Sequence, residues 1–262
     1  MGRRNTVWNQ KTHMRYIREG RGTGDLADYT PWIQTYDFPS KGKTVRVLGK
    51  TTGRVHHLLS SLEYTCFLLL DSLPGIEDIK EQYPLPLDKT LLCAARLGYR
   101  HPEIHGYPYV MTTDFFYKAN GSWHALQVKP SSQLDDARVN EKFAIERAYW
   151  AGQNIDWHVT TEKELNRDKA ENLKWLHSGE PLDKLVHDPI MREGLLSAFE
   201  ELYGMREIPF HTIISEIERQ CSLIPGTALQ IFKELILQDR VRVDLSTLIN
   251  LADPRIMPYI DI

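Results

Sequence analysis

From Val110 to Lys129, apolar and polar side chains alternate about one strong turn signal: Val110-Met-Thr-Thr-Asp114-Phe-Phe-Tyr-Lys-Ala-Asn120-Gly121-Ser-Trp-His-Ala-Leu-Gln127-Val-Lys129. Asn-Gly suits a two-residue hairpin turn because both central positions take positive φ. That turn sets a register in which Ala119 opposes Ser122, Phe116 opposes Ala125 and Asp114 opposes Gln127. Strand alternation then gathers Asp114, Gln127 and Lys129 on one face and sends Phe115, Leu126 and Val128 to the other, toward a core. Opposed side chains lie about 5 Å apart and diagonal ones about 7–8 Å, so Lys129 can share a ligand with Asp114. A carboxylate, an amide oxygen and an ammonium on one face make a place for a divalent cation and a phosphate. The competing reading is an ordinary solvated pair with a surface lysine. The apolar neighbours Phe115, Phe116, Leu126 and Val128 favour a central strand pair instead.

The same reading extends along the chain. Thr44–Gly49 and Gly53–Leu58 predict two short extended pieces about a turn, with His56 and His57 on opposite faces and therefore a poor chelate. Ser60-Ser-Leu-Glu63 is a capping box opening an apolar helix from Leu62 to Leu70. Capping alone could explain Glu63, yet Glu63, Phe67 and Leu70 share one apolar face, where a carboxylate wants a cation. Asp78–Leu85 predicts a strand, Asp88–Leu97 a short helix, and Arg100-His-Pro a turn before the hairpin. Asp135–Ala151, closed by Gly152, predicts a helix with Val139, Phe143, Glu146 and Trp150 on one stripe. Glu146 is thus a second inward acid, or else a surface partner of Lys142 one turn earlier. Asp156–Thr161 is the next strand, which gives a mixed sheet with a right-handed βαβ unit. Beyond Thr161–Leu165 the period is mostly helical. Helices over Pro209–Gln220 and Thr227–Leu237, then a strand over Arg240–Asp244, make a winged-helix pattern whose second helix exposes Gln230, Lys233 and Glu234.

Composition narrows the class. The chain has 262 residues, 42% of them hydrophobic, enough for one large or two small cores. It contains no run of 18 apolar residues and no apolar stretch behind the basic start, so membrane and secretory readings fail and a cytoplasmic protein is expected. Cys66, Cys93 and Cys221 lie far apart without a ligand spacing, which predicts a reduced protein without structural zinc. The net charge of −3 hides an asymmetry. Residues 1–59 carry eleven Lys/Arg against four Asp/Glu, whereas residues 166–262 carry eleven against sixteen. The basic arm suits DNA, with Arg18, Arg21, Arg54, His56 and His57 as candidate contacts among further cations such as Lys41 and Lys43; the alternatives are a merely solvated basic segment and, for His56 and His57, packing. The acidic carboxy-terminal third suits a protein partner. Gly20-Arg-Gly-Thr-Gly24 lacks a phosphate loop's strand, helix and Gly-Lys-Ser/Thr, and reads as a flexible basic loop.

The order Glu63, Asp114, Gln127-Val128-Lys129 resembles the PD-(D/E)xK nuclease superfamily, with glutamine in the second acidic slot. More closely, several segments resemble the TnsA family, the endonuclease subunits of the heteromeric transposases of Tn-seven-type transposons. They are Gly20-Arg-Gly, Asp28-Tyr-Thr-Pro-Trp32, Thr52-Gly-Arg-Val-His-His-Leu-Leu-Ser-Ser-Leu-Glu63, Asp78-Ile-Lys-Glu-Gln-Tyr-Pro-Leu85, Met111-Thr-Thr-Asp114-Phe, Gln127-Val-Lys-Pro130 and Glu146-Arg-Ala-Tyr-Trp150. The resemblance covers about the first 165 residues with specific motifs and the helical remainder more weakly.

What it implies can be stated by position. The fold would be α/β: a restriction-endonuclease-like mixed sheet with flanking helices and a basic arm over 1–165, then a mostly helical, winged-helix-like partner-binding domain over 166–262. Glu63, Asp114, Gln127 and Lys129 would form the catalytic set, and Glu63, Asp114, Gln127 and the Val128 carbonyl would hold one or two Mg²⁺ ions, with Mn²⁺ expected to substitute. Glu146 would support them from behind. Glutamine at 127 removes one negative charge, so weak metal affinity and partner-assisted assembly are expected. The family cuts the 5′ ends of the transposon in double-stranded DNA, while TnsB cuts and joins the 3′ ends and the AAA+ regulator TnsC engages the carboxy-terminal domain. The protein would be nucleoid-associated when acting. A stand-alone Mg²⁺-dependent restriction or repair nuclease and a non-catalytic transposition scaffold remain the alternatives.

Overall fold

The computed structural model describes residues 8–37, 44–205 and 208–253. Its contacts divide the chain into two units, Met1–Asn166 and Arg167–Ile262, one residue past the sequence boundary. Lys41 and Lys43 of the basic arm lie outside the described residues.

The first unit opens with helix α1 (Gln10–Arg18), capped by Asn9, whose side chain accepts from the Thr12 N–H at 3.0 Å. The helix is mostly polar and buries only Thr12 and Tyr16, so few apolar side chains mark it in the sequence. Tyr16 anchors it edge-on to Trp8 and Trp32. Strands β1 (Val45–Leu48) and β2 (Val55–Leu58) pair antiparallel as a ribbon. Helix α2 (Ser61–Asp71) follows, then β3 (Ile76–Pro84) and α3 (Leu87–Leu97), which Gly98 ends in the left-handed conformation at φ 70°. A small pair, β4 (Glu103–Ile104) and β5 (Tyr107–Pro108), leads into the hairpin of β6 (Thr112–Ala119) and β7 (Ser122–Val128). The hairpin forms in the expected register, with Ala119 opposite Ser122 and Phe116 opposite Ala125, and with Asn120 and Gly121 at φ 48° and 79°. Helix α4 (Ala137–Ala151) starts on Asp136 and crosses to β8 (Asp156–Thr160), which pairs parallel to β7.

The main sheet has the order β3-β6-β7-β8 and is mixed, antiparallel except for its last pair. Both faces are covered. On one side Phe67 of α2 stacks on Phe115 of β6. On the other, Phe116 and Ala125 join Ala94 of α3 and Phe143, Ile145 and Trp150 of α4 in one core. This double cover explains why the strands read as apolar runs at their centres.

The second unit is helical: α5 (Arg167–Leu176), α6 (Leu182–Leu185), α7 (Pro189–Gly204), α8 (Phe210–Gln220) and α9 (Thr227–Leu237). The α8 and α9 spans match the sequence reading, but two expectations need correction. Helix α9 is a core helix: Ala228, Ile231, Phe232 and Leu235 are fully buried, and Phe232 meets the rings of Phe199, Tyr203 and Phe210. Lys233, expected on an exposed face, is buried, and its ammonium donates to the Ser178 carbonyl at 2.9 Å. Arg240–Asp244 forms no strand. Val241 is buried, but its N–H caps the end of α9 at the Leu235 carbonyl, and the Arg240 guanidinium is drawn to Glu193 and Glu200 of α7. Alternation reads a strand correctly only where a partner strand is present to pair with it. Among the described residues, no helix is long and apolar enough to cross a membrane.

Candidate active site

The site forms where α2, the middle of the sheet and α4 converge. Glu63 stands in the first turn of α2. Its N–H donates to Ser60 Oγ at 3.1 Å, while its own Oε2 accepts from the Leu59 N–H at 2.9 Å. The capping role read from the sequence is therefore real, and it also aims the carboxylate at the sheet. Asp114 lies on β6. Its Oδ2 accepts from the Val128 N–H at 2.9 Å and from Lys129 Nζ at 3.1 Å. Lys129 is fixed at the end of β7 by its N–H to the Thr160 carbonyl. The N–H and C=O of one strand residue point to the same side, so the Val128 carbonyl points to the β6 side of its strand.

Gln127 donates from Nε2 to the Thr112 carbonyl at 2.8 Å and to Glu146 Oε2 at 2.7 Å. Its Oε1 is buried without a hydrogen-bond partner. Glu146 enters from α4, and its Oε1 accepts from Thr113 Oγ1 at 2.5 Å. It turns inward to these groups rather than outward to Lys142, so the surface-pair reading gives way. Thr113 is itself held by Trp150 Nε1 at 2.8 Å. Gln82 of β3 carries no motif of its own in the sequence, yet its Nε2 reaches both Asp114 Oδ1 at 3.2 Å and Glu63 Oε2 at 3.4 Å. The available signal was a run of polar residues, Lys80-Glu-Gln82, inside a strand whose middle is buried.

The electrostatics follow from this crowding. Burial, then the Asp114 charge, pushes the Glu63 carboxyl up to about 7. Burial, with the Asp114 charge adding to it, outweighs the hydrogen bonds from Thr113 and Gln127 and raises Glu146 to about 7. Burial works against the Lys129 ammonium, but Asp114 beside it holds its pKa above the ordinary lysine value. All of these groups line one cavity of about 380 Å³, together with Gln133 and Lys142.

Among the described residues, no group of three or more His, Cys, Asp or Glu is arranged to hold a metal ion. The donor set here is of another kind: two carboxylates, the orphaned amide oxygen of Gln127 and the Val128 carbonyl. Oxygen donors alone suit a hard divalent cation, and two crowded acids with one unpaired buried oxygen fit such a cation.

The arm residues fare differently. Arg21 is buried, bonded to Asp37 at 2.5 and 3.1 Å and to the Trp32 carbonyl, and lies 3.6 Å over the Tyr16 ring. The Gly20–Gly24 segment is thus a packed turn rather than a flexible basic loop. Arg54 and His56 are buried on Glu81, with contacts of 2.9 and 2.5 Å from the guanidinium and 2.8 Å from His56 Nδ1. Each of the three serves an internal carboxylate and is not available to DNA. His57 is half-buried and bonded to Thr35. Arg18 is exposed, with its guanidinium near the Met14 carbonyl. Counting charge in a segment cannot tell a solvated cation from one consumed by a buried acid.

With this geometry in place, comparison with known proteins adds its finding. A model of the TnsA-like endonuclease N terminus matches residues 73–162, and a model of the TnsA endonuclease C terminus matches residues 164–245. The chain belongs to the TnsA family. A curated relative, the transposon Tn7 transposition protein TnsA of Escherichia coli, is 41% identical over 181 residues, 68% of this chain. The chain spans 66% of that relative's length. The mixed sheet with flanking helices fits the restriction-endonuclease-like fold of such endonucleases. Asp114, Gln127, Lys129 and Glu146 fall inside the matched N-terminal range, whereas Glu63 precedes it and is placed in the site by the geometry.

Proposed function

We propose that this chain is a divalent-cation-dependent DNA endonuclease that hydrolyses phosphodiesters at the 5′ ends of a transposon during cut-and-paste transposition. The observation that carries this reading is the convergence of Glu63, Asp114 and Lys129 on one cavity where Gln127 presents an unpaired oxygen. Glu63, Asp114, Gln127 Oε1 and the Val128 carbonyl would hold Mg²⁺, or Mn²⁺ in its place, as one ion or two. When bound, the cation supplies an acidified water and polarises a phosphate oxygen. Lys129 orients the attacking water and opposes the negative charge that grows at phosphorus. Glu146 and the Thr112 carbonyl hold both Gln127 N–H groups, which keeps the amide oxygen facing the site. Lys142 adds positive charge to the cavity wall for the DNA backbone.

The partners follow from the same reading. A TnsB-like transposase would make the 3′ cuts, and a TnsC-like AAA+ ATPase would dock on the helical unit. We read α8 and α9 as the helical core of a winged-helix-like module. Its second helix is spent on the core, so the module suits a protein surface better than a DNA groove, in keeping with its acidic balance. The test is end-labelled transposon DNA incubated with Mg²⁺ and this chain, with and without candidate partners. Cutting at the 5′ ends only with partners supports the proposal. Cutting of plain DNA by the chain alone favours a stand-alone nuclease, and no cutting under any condition favours a scaffold.

A further inference from the structure

Gln82 holds a position that its backbone resists. It lies inside β3, two residues from its end, yet its φ is 49°, in the left-handed region where a glutamine is uncommon and a glycine would sit freely. On either side of it Glu81 pairs with Phe115 and Tyr83 with Thr113, so the register sets Gln82 opposite Asp114. Its carbonyl leaves the ladder to accept from the Trp32 N–H. Strained backbone persists where the surroundings hold it in place and tends to collect at working sites.

The side chain shows what the position does. Thr112 Oγ1 donates to Gln82 Oε1 at 3.0 Å, which fixes the amide with its N–H₂ end toward the acids. That end meets Asp114 Oδ1 and Glu63 Oε2. Asp114 Oδ2 is already committed to Val128 and Lys129, so Oδ1 is the oxygen left for a cation. The two glutamines beside Asp114 are oppositely poled: Gln127 presents an oxygen to the site, Gln82 a donor. We infer that Gln82 is a positioning residue that competes with the cation, its amide occupying the Asp114 oxygen that Mg²⁺ needs and giving it up when the ion binds. This inference rests on the metal-dependent reading proposed above and adds to it an internal brake on ion affinity. Such a brake makes loading depend on whatever else stabilises the loaded site, DNA or a partner, and it acts through a hydrogen bond rather than through missing charge.

The test measures Mg²⁺ and Mn²⁺ binding to the full chain by titration calorimetry, with thermal melting as a control for folding. Gln82→Met keeps the volume and removes the donor. Thr112→Val leaves Gln82 in place but releases its amide, and Thr112→Ser keeps the hydroxyl. Long hydrogen bonds to charged oxygens are worth enough that Gln82→Met should tighten the cation about three- to tenfold. Thr112→Val should show a smaller tightening, and Thr112→Ser should bind like the wild type. An unchanged dissociation constant in a folded Gln82→Met or Thr112→Val variant would reduce Gln82 to a structural residue. Weaker binding in either would make it a ligand, and both results overturn the inference. Wild-type protein that binds neither ion would instead remove the metal-dependent reading itself, and the inference with it.

Discussion

Replacing Arg54 by methionine separates a structural cation from a DNA contact. The guanidinium is clamped on Glu81 by two hydrogen bonds, donates further to the Leu26 and Ile79 carbonyls, and lies 5.0 Å from the Tyr29 ring centroid. Breaking a buried pair by removing one partner costs about 3–5 kcal/mol, because the other charge stays buried. The carboxylate gives a second route to the magnitude. Burial alone would raise Glu81, but Arg54 and His56 outweigh it and hold the group at about 2, against an ordinary 4.5. A depressed carboxyl contributes stability that is present above the unfolded pKa and lost as pH falls through the folded one, here about 3 kcal/mol lost between pH 4.5 and 2. The two figures are of the same order, the second covering Arg54 and His56 together. For a unit of this size they correspond to a melting temperature lower by roughly 10 °C at pH 7. The gap between variant and wild type should narrow on acidification, since the wild type loses what the variant already lacks. Circular dichroism melts at pH 7 and pH 3 measure both effects. An Arg54→Met protein that melts with the wild type but binds DNA more weakly would refute the argument and make Arg54 a DNA contact after all.

Three further outcomes follow from the site. Lys129→Met should lower the cleavage rate by about 10²–10³-fold in single-turnover assays while leaving the protein folded, as loss of one transition-state donor does. With Glu63 raised to about 7 by burial and the Asp114 charge, Mg²⁺ must displace its proton below neutrality. Affinity should then fall about tenfold per pH unit below pH 7 for each proton displaced, read by calorimetry in buffers of different ionisation enthalpy; no buffer dependence would contradict it. Gln127→Glu places a carboxylate against Glu146, where the wild-type amide sits at 2.7 Å. The pair should hold one proton at pH 7, so the gain in Mg²⁺ affinity should be small there and larger at pH 9; an affinity equal to the wild type at both would end the charge argument.

Much of the candidate site's layout could be read from the chain because local rules set it. Asn120-Gly121 fixes the hairpin register, and that register alone brings Asp114, Gln127 and Lys129 together. Helical period likewise places Glu63 and Glu146 on inward faces. What the chain did not disclose are the long-range partners. Gln82 is significant only because β3 pairs with β6 and its backbone turns to positive φ. Arg21, Arg54 and His56 look like DNA contacts until Asp37 and Glu81 are found beside them. Helix α1 hides behind a polar sequence, and Arg240–Asp244 has strand alternation but spends its groups on α7 and α9.

The most direct test of the central claim is anomalous diffraction from crystals soaked in Mn²⁺, compared between wild type and Asp114→Ala. A peak between the Glu63 and Asp114 carboxylates and Gln127 Oε1, lost in the variant, is the predicted result. A peak away from these oxygens, or one that survives loss of the Asp114 carboxylate, would contradict it.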